Sequence, residues 1–167
     1  AIDEKDEYTN GHSLRVSVYS VLLAQALQWD PDKIEKLRIS ALLHDIGKIG
    51  VPDSILNKPN KLTEDEFNII KSHTNMGGKI LHKLSSLKNA ETVALYHHER
   101  FDGKGYPGKY SGTDIPEFAR IVTIADSFDA MTTNRIYRDK LDKQFVINQM
   151  KENSGKQFDP YFIEKFI

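Results

Sequence analysis

This chain predicts an all-α fold, and three observations predict it. Apolar residues recur at spacings of three and four along most of its length. No stretch of alternating apolar and polar residues bounded by hairpin turns appears. Capping residues fall where the periodic stretches begin.

The first helix is expected over 10–28, with Leu14, Val18, Val21, Leu22 and Ala26 as its apolar face. Asp30 and Pro31 suit the cap and first turn of a second helix, whose apolar set is Ile34, Leu37, Ala41 and Leu42. Gly47, Gly50 and Pro52 predict its end at about 47–50. Thr63 with Glu66 forms a capping-box pattern opening a third helix. Further helical patterns cover 74–86, 89–99, 117–132, 143–152 and 160–166. Between them, "ERFDGKGYPGKYSGTDIP" at 99–116 holds four of the ten glycines and two of the six prolines. A long irregular segment in a compact domain is usually functional. Lys71, Lys79, Lys83 and Lys88 read as solvated helix surface, and His82 as a surface or half-buried helix residue.

A length of 167 residues fits one domain, 1–167, with enough chain for a sizeable core. A net charge of −1 supplies no field for steering onto DNA, RNA or an acidic membrane. The absence of cysteine excludes disulfides, thiolate nucleophiles and zinc–thiolate sites. No apolar run reaches the length of a membrane helix, so no membrane contact and a cytoplasmic domain are expected. The chain begins with Ala rather than Met, which leads us to expect a piece of a longer protein with an N-terminal regulatory region.

The chemistry concentrates in "ALLHDIGKIG", 41–50, where His44, Asp45 and Lys48 arrive in apolar company. Such groups are costly to bury unless paired or bound to a metal. His12, His73, the adjacent His97 and His98, and Asp126 in the apolar "IVTIADSFDAM" extend the set. Singly, each has a plainer reading: His12 and His73 as surface residues at helix starts, Asp126 as a buried acid paired with an arginine. Asp129, three residues on from Asp126, is either a partner to a ligand or an acid satisfied by its own hydrogen bonds. The two adjacent pairs are harder to dismiss. Helix neighbours point about 100° apart, so a pair converges only near a helix end. Five imidazoles and two carboxylates suit Fe, Mn, Co, Ni or Zn over Mg or Ca. Seven donors exceed one four-coordinate ion and fit two ions sharing a carboxylate, with Asp45 as the bridge. Two divalent ions against two carboxylates leave +2, which favours hydroxide and an anionic substrate.

"HSLR", "HDIGKIG", "KSH", "HHERFDGKGYP" and "ADSFDA" followed by "NRIYR" resemble the HD-GYP domain. That family is the branch of the HD phosphohydrolase superfamily that cleaves cyclic di-GMP. The likeness runs from about Tyr8 to the terminal "QFDPYFIEKFI". It implies an HD-domain bundle of about seven or eight helices with a Gly-rich GYP loop. It implies that His12, His44, Asp45 and Asp126 bind one metal, and Asp45, His73, His97 and His98 the other. Some members use a glutamate one turn before the first histidine for a third metal; Tyr8 stands there, with Glu7 one residue back, so two ions are expected, Fe or Mn foremost. Lys48 matches a lysine near the scissile phosphate. Arg135 and Arg138, spaced i, i+3, match residues that hold the substrate phosphates; pairing with an acid such as Asp139 is their plainer reading.

The resemblance further implies hydrolysis of cyclic di-GMP to linear pGpG or GMP, in which a hydroxide bridging two ions attacks phosphorus in line. Asp45 and Lys48 would serve catalysis. Gly103 and Gly105 would allow positive φ or close backbone approach, and Tyr106 would contact a guanine or pin the loop. GGDEF-domain proteins are implied as partners through the loop, and a homodimer is in keeping with the family. Two alternatives stand beside this reading: an HD phosphohydrolase of another nucleotide or phosphoester, and a non-catalytic cyclic di-GMP-binding effector.

Overall fold

The computed structural model describes residues 11–133 and 142–167. Among these residues the chain forms helices and turns and no strand. In order they are α1 (His12–Ala26), α2 (Pro31–Leu43), α3 (Glu64–Lys71), α4 (His73–His82), α5 (Lys88–Tyr96), α6 (Glu117–Thr132), α7 (Lys143–Glu152) and α8 (Pro160–Phe166). A single helical turn, Asp53–Leu56, precedes α3. No helix of the described residues is long and apolar enough to cross a membrane.

The predicted caps form. The Asp30 carboxylate accepts the Lys33 N–H at 3.0 Å, with Pro31 in the first turn of α2. Thr63 and Glu66 close a reciprocal capping box at the start of α3. Each satisfies backbone N–H groups that the helix itself cannot.

Two expectations about the first two helices need correction. On α1, Leu14, Val18 and Leu22 face solvent, at 59%, 48% and 56% exposure. The inward face is instead His12, Ser13, Val16, Ser17, Ser20, Leu23 and Ala24. α1 packs against both α2 and α6, and small serines let those neighbours come close. Periodicity shows that a stripe exists but not which of two stripes is covered. The second correction concerns α2, which stops at Leu43 rather than at 47–50. A 3-10 turn, Ile46–Gly50, follows. It lies against the start of α4, where a Cβ on Gly47 would meet the His73 carbonyl oxygen at 1.8 Å. Only glycine permits that approach.

α6 is the central element: Ile121, Val122, Ile124 and Ala125 are all fully buried. They pack with Val16 of α1, Leu37 and Ala41 of α2 and Val93 of α5, among others. A smaller cluster, Leu81, Ala90 and Ala94, joins α4 to α5.

The 99–116 segment has no long helix, yet its backbone is tied down. Tyr106 N–H donates to the His98 carbonyl at 3.1 Å and Gly112 N–H to that of Phe101 at 2.8 Å. Phe101 and Asp102 N–H groups reach the Gln157 and Lys156 carbonyls. The Glu99 carboxylate accepts the Lys109 N–H at 2.7 Å. Gly103 has a positive φ of 76°, while Gly105 uses the other freedom of glycine: a Cβ there would lie 2.4 Å from His98 O.

Candidate metal centre

Five elements deliver polar side chains to one place. His12 opens α1, His44 and Asp45 follow the last residue of α2, and His73 opens α4. His97 and His98 follow α5, and Asp126 projects from the middle of α6. Both adjacent pairs therefore sit past a helix end, where successive side chains converge rather than diverge.

The donor atoms form two groups, each with its atoms within 4.8 Å of one another: Asp45, His73, His97 and His98, and His12, His44 and Asp126. Asp45 stands between them. Its Oδ2 lies 3.3 Å from His44 Nε2 and 3.8 Å from His12 Nε2. Its Oδ1 lies 3.3 Å from His73 Nε2 and 3.7 Å from His97 Nε2. The Lys48 ammonium approaches Oδ2 at 2.8 Å.

Four of the imidazoles are oriented through Nδ1. His44 is bonded to the Ala41 carbonyl at 2.6 Å, His73 to that of Ile70 at 2.7 Å and His97 to that of Val93 at 3.0 Å. His12 Nδ1 is bonded to the Asp129 carboxylate at 2.7 Å. A ring that donates from Nδ1 leaves Nε2 with a lone pair, which is the form a metal requires. All four Nε2 atoms then face the Asp45 carboxylate.

The electrostatics agree with that form. Burial alone would push the Asp45 carboxyl up, but Lys48 and the imidazoles outweigh it and hold the group well below the usual range. Asp126 is likewise depressed, burial being overcome by its hydrogen bond to His12. Burial lowers His97 and His98, with neighbouring imidazoles adding to the effect, so both rings stay neutral. His12 is the exception: burial disfavours its charged form, yet Asp126 and Asp129 together raise it to about 9.

A divalent metal fits this donor set. His44 Nε2 is buried and has no hydrogen-bond partner among the described residues. An unpartnered buried nitrogen aimed at a carboxylate is costly, and a cation between the two removes the cost. Nitrogen and oxygen donors without sulfur match a transition metal rather than Mg or Ca.

Every ligand residue named from the sequence is thus brought to this centre, and Lys48 stands beside it. Tyr106 stacks on His98 with ring centroids 4.6 Å apart. Burial and the nearby Asp45 and Asp126 charges push its phenol up, so it remains a donor. Gly105 packs on the backbone of 98–100. Asp129 serves as partner to His12 and to Arg15, whose Nε reaches it at 2.6 Å. His82 lies on the surface and pairs with Glu91 at 2.9 Å. Arg135 and Arg138, like Tyr8 and Glu7, lie outside the described residues.

Sequence reasoning missed three residues. Glu99 is buried beside His98 and anchors the loop through Lys109; its place in "HHER" was the available signal. Phe67 and Lys71 line the cleft of about 400 Å³ that opens beside His97, His98, Tyr106 and Asp126. Lys71 was expected on the solvated surface; the structure half-buries it at this cleft because α3 leads directly into His73. Nothing in the local pattern separates Lys71 from Lys79 or Lys83, which are exposed as expected.

Comparison with known proteins agrees with this geometry. The HD domain family model matches residues 1–162. A 3'3'-cGAMP-specific phosphodiesterase 3 of Vibrio cholerae is 44% identical over 95% of this chain and 35% of its own length. A cyclic di-GMP phosphodiesterase of Thermotoga maritima is 39% identical over 98% of this chain and 45% of its own. The chain thus spans less than half the length of these relatives. Among solved structures, Bd1817, an HDG"Y"P protein from Bdellovibrio bacteriovorus, superposes with a TM-score of 0.73 at 24% identity. It covers 93% of this chain and 50% of that one, and at this identity the likeness is one of fold. With the clustered histidine and aspartate donors, the helical architecture and the family model in agreement, the chain belongs to the HD domain family.

Proposed function

We propose that this chain is a metal-dependent phosphodiesterase domain that hydrolyses cyclic di-GMP to linear pGpG or GMP. The observation that carries the reading is the division of Asp45, one oxygen toward His12 and His44 and the other toward His73 and His97. On this reading His12, His44, Asp45 and Asp126 hold one ion, and Asp45, His73, His97 and His98 hold a second. Iron or manganese suits these donors best, with zinc, cobalt and nickel also compatible. Bound there, two such ions would supply an activated water and charge neutralisation at phosphorus.

The protein's own groups do the rest. Lys48 carries positive charge beside Asp45 and lends it to the phosphoryl oxygens. Tyr106, kept protonated, offers its hydroxyl to the substrate from above His98. Gly105 and Glu99 hold that loop against the centre. Arg135 and Arg138 are assigned to the substrate phosphates from their i, i+3 spacing and the shape of guanidinium.

The similarity to a 3'3'-cGAMP-specific enzyme supports a second substrate, 3′3′-cGAMP. The test is turnover by the metal-loaded protein of each cyclic dinucleotide. Release of pGpG or GMP supports the first reading, and cleavage of 3′3′-cGAMP alone supports the second. Binding without product would assign the chain as an effector, and turnover of mononucleotides alone as another phosphohydrolase.

A further inference from the structure

The ring stack that starts at the metal centre continues beyond it. His98 lies almost parallel to Tyr106, with 23° between their planes, and Tyr106 meets Phe67 edge to face at 6.5 Å. Phe67 comes from α3, a different element from either partner, and 45% of it is exposed. A single exposed aromatic is ordinary on a protein surface. This one lines the same cleft as His97, His98 and Asp126. Lys71, one turn further along α3, holds its ammonium 5.0 Å from the Phe67 ring and 6.0 Å from that of Tyr106.

From this placement we propose that Phe67 and Lys71 form the nucleobase subsite of the cleft. Phe67 stacks a purine of the nucleotide whose phosphate is held at the metal centre, and Lys71 pairs with the phosphodiester backbone. The inference rests on the phosphodiesterase reading and adds the substrate's base-binding wall to it.

The physical case is one of matching surfaces. A purine dinucleotide presents anionic phosphates and flat apolar rings. The phosphate belongs at the cationic centre, so a base falls on the wall next to it. That wall is aromatic and carries the Lys71 ammonium, while the Glu99 carboxylate of the same cleft accepts the Lys109 N–H. The Lys71 ammonium rests over the rings through a weak cation–π contact, and its flexible stem lets an incoming phosphate draw it away. Stacking on an aromatic side chain tolerates any base, because every base has a π face. Phe67 therefore strengthens binding of guanine and adenine alike and leaves their discrimination to other parts of the cleft.

The test is equilibrium binding of hydrolysis-resistant bisphosphorothioate analogues of cyclic di-GMP and 3′3′-cGAMP to metal-loaded protein. Phe67→Ala is expected to weaken the binding of both analogues about tenfold, and Phe67→Trp to restore it. Lys71→Gln is expected to weaken binding and make its salt dependence shallower. Metal content is measured in each variant. Wild-type binding matched within about twofold by Phe67→Ala would overturn the subsite and leave the phosphodiesterase reading standing. Loss of metal from Phe67→Ala would mark the ring as a prop for Tyr106 and overturn it too. A wild-type protein that binds neither dinucleotide would remove both proposals together.

Discussion

Asp129 accepts a hydrogen bond from His12 Nδ1 at 2.7 Å, and this contact turns His12 Nε2 to within 3.2 Å of Asp126. Two carboxylates on one face of α6 thus divide their work: Asp129 aims the imidazole through Nδ1 and Asp126 pairs with its Nε2. Arg15 completes the arrangement by donating to both Asp129 oxygens, at 2.6 and 3.1 Å. The buried acid is thereby satisfied by two residues one turn apart on the same face of α1.

Asp129→Asn keeps the shape but weakens the acceptor for both partners. Outer partners of metal-binding histidines contribute about 10–100-fold to metal affinity. A fall of that size is expected in a metal titration of the variant, together with a lower melting temperature as Arg15 loses its charge partner.

Asp45→Ala removes the acid that faces both sets of imidazoles. On the two-ion reading proposed above, the variant is expected to lose both metals, read by elemental analysis of the purified protein. Retention of a full complement would show that the two donor groups hold ions independently of Asp45.

Metal-free protein is expected to be most stable near pH 6.5. His12 is raised from 6.5 to about 9, so its contribution is complete below 6.5 and is lost as the pH climbs through 9. A shift of that size corresponds to roughly 3 kcal/mol. His97 and His98 are lowered, so the unfolded chain binds their protons more readily and stability falls on acidification below the ordinary imidazole range. Thermal melts in chelator across pH 5–10 check both arms. Metal-loaded protein should lose the alkaline arm, because an ion at His12 takes the place of the proton.

Gly47→Ala forces a methyl group against the His73 carbonyl, 1.8 Å away, and against Gly77 N at 2.5 Å. Overpacking of this kind costs about 1–3 kcal/mol. The expected outcome is a drop in melting temperature and a partial loss of metal, since His73 moves with its backbone. Differential scanning calorimetry and metal analysis report the two effects separately.

Much of this was legible along the chain because it depends on local chemistry. Asp30 and Thr63 cap helices through bonds to residues three positions on, so adjacent sequence suffices to find them. The histidine and aspartate types, with two adjacent pairs set just before helix breakers, point to a nitrogen–oxygen metal site, although those breakers place the end of α2 at 47–50 and it stops at Leu43. The choice between the two stripes of α1 was not legible, since Leu14 and Val18 satisfy the period as well as Val16 does. Burial there is decided by α2 and α6, which arrive from elsewhere in the chain.

What the sequence determined, then, is the inventory and the helical framework: which donors exist, which positions cap, and roughly where each helix lies. What only the tertiary structure decided is orientation. It divides the Asp45 oxygens between two groups of imidazoles and converts Asp129 into the support of His12. It also brings Phe67 and Lys71, on a helix the sequence predicted but whose face it read as solvated, to the edge of the centre. The reason is range. Periodicity and capping act over one or two helical turns, whereas the side chains that share this cavity lie as far apart in the chain as His12 and Asp129 and meet only when separate helices pack.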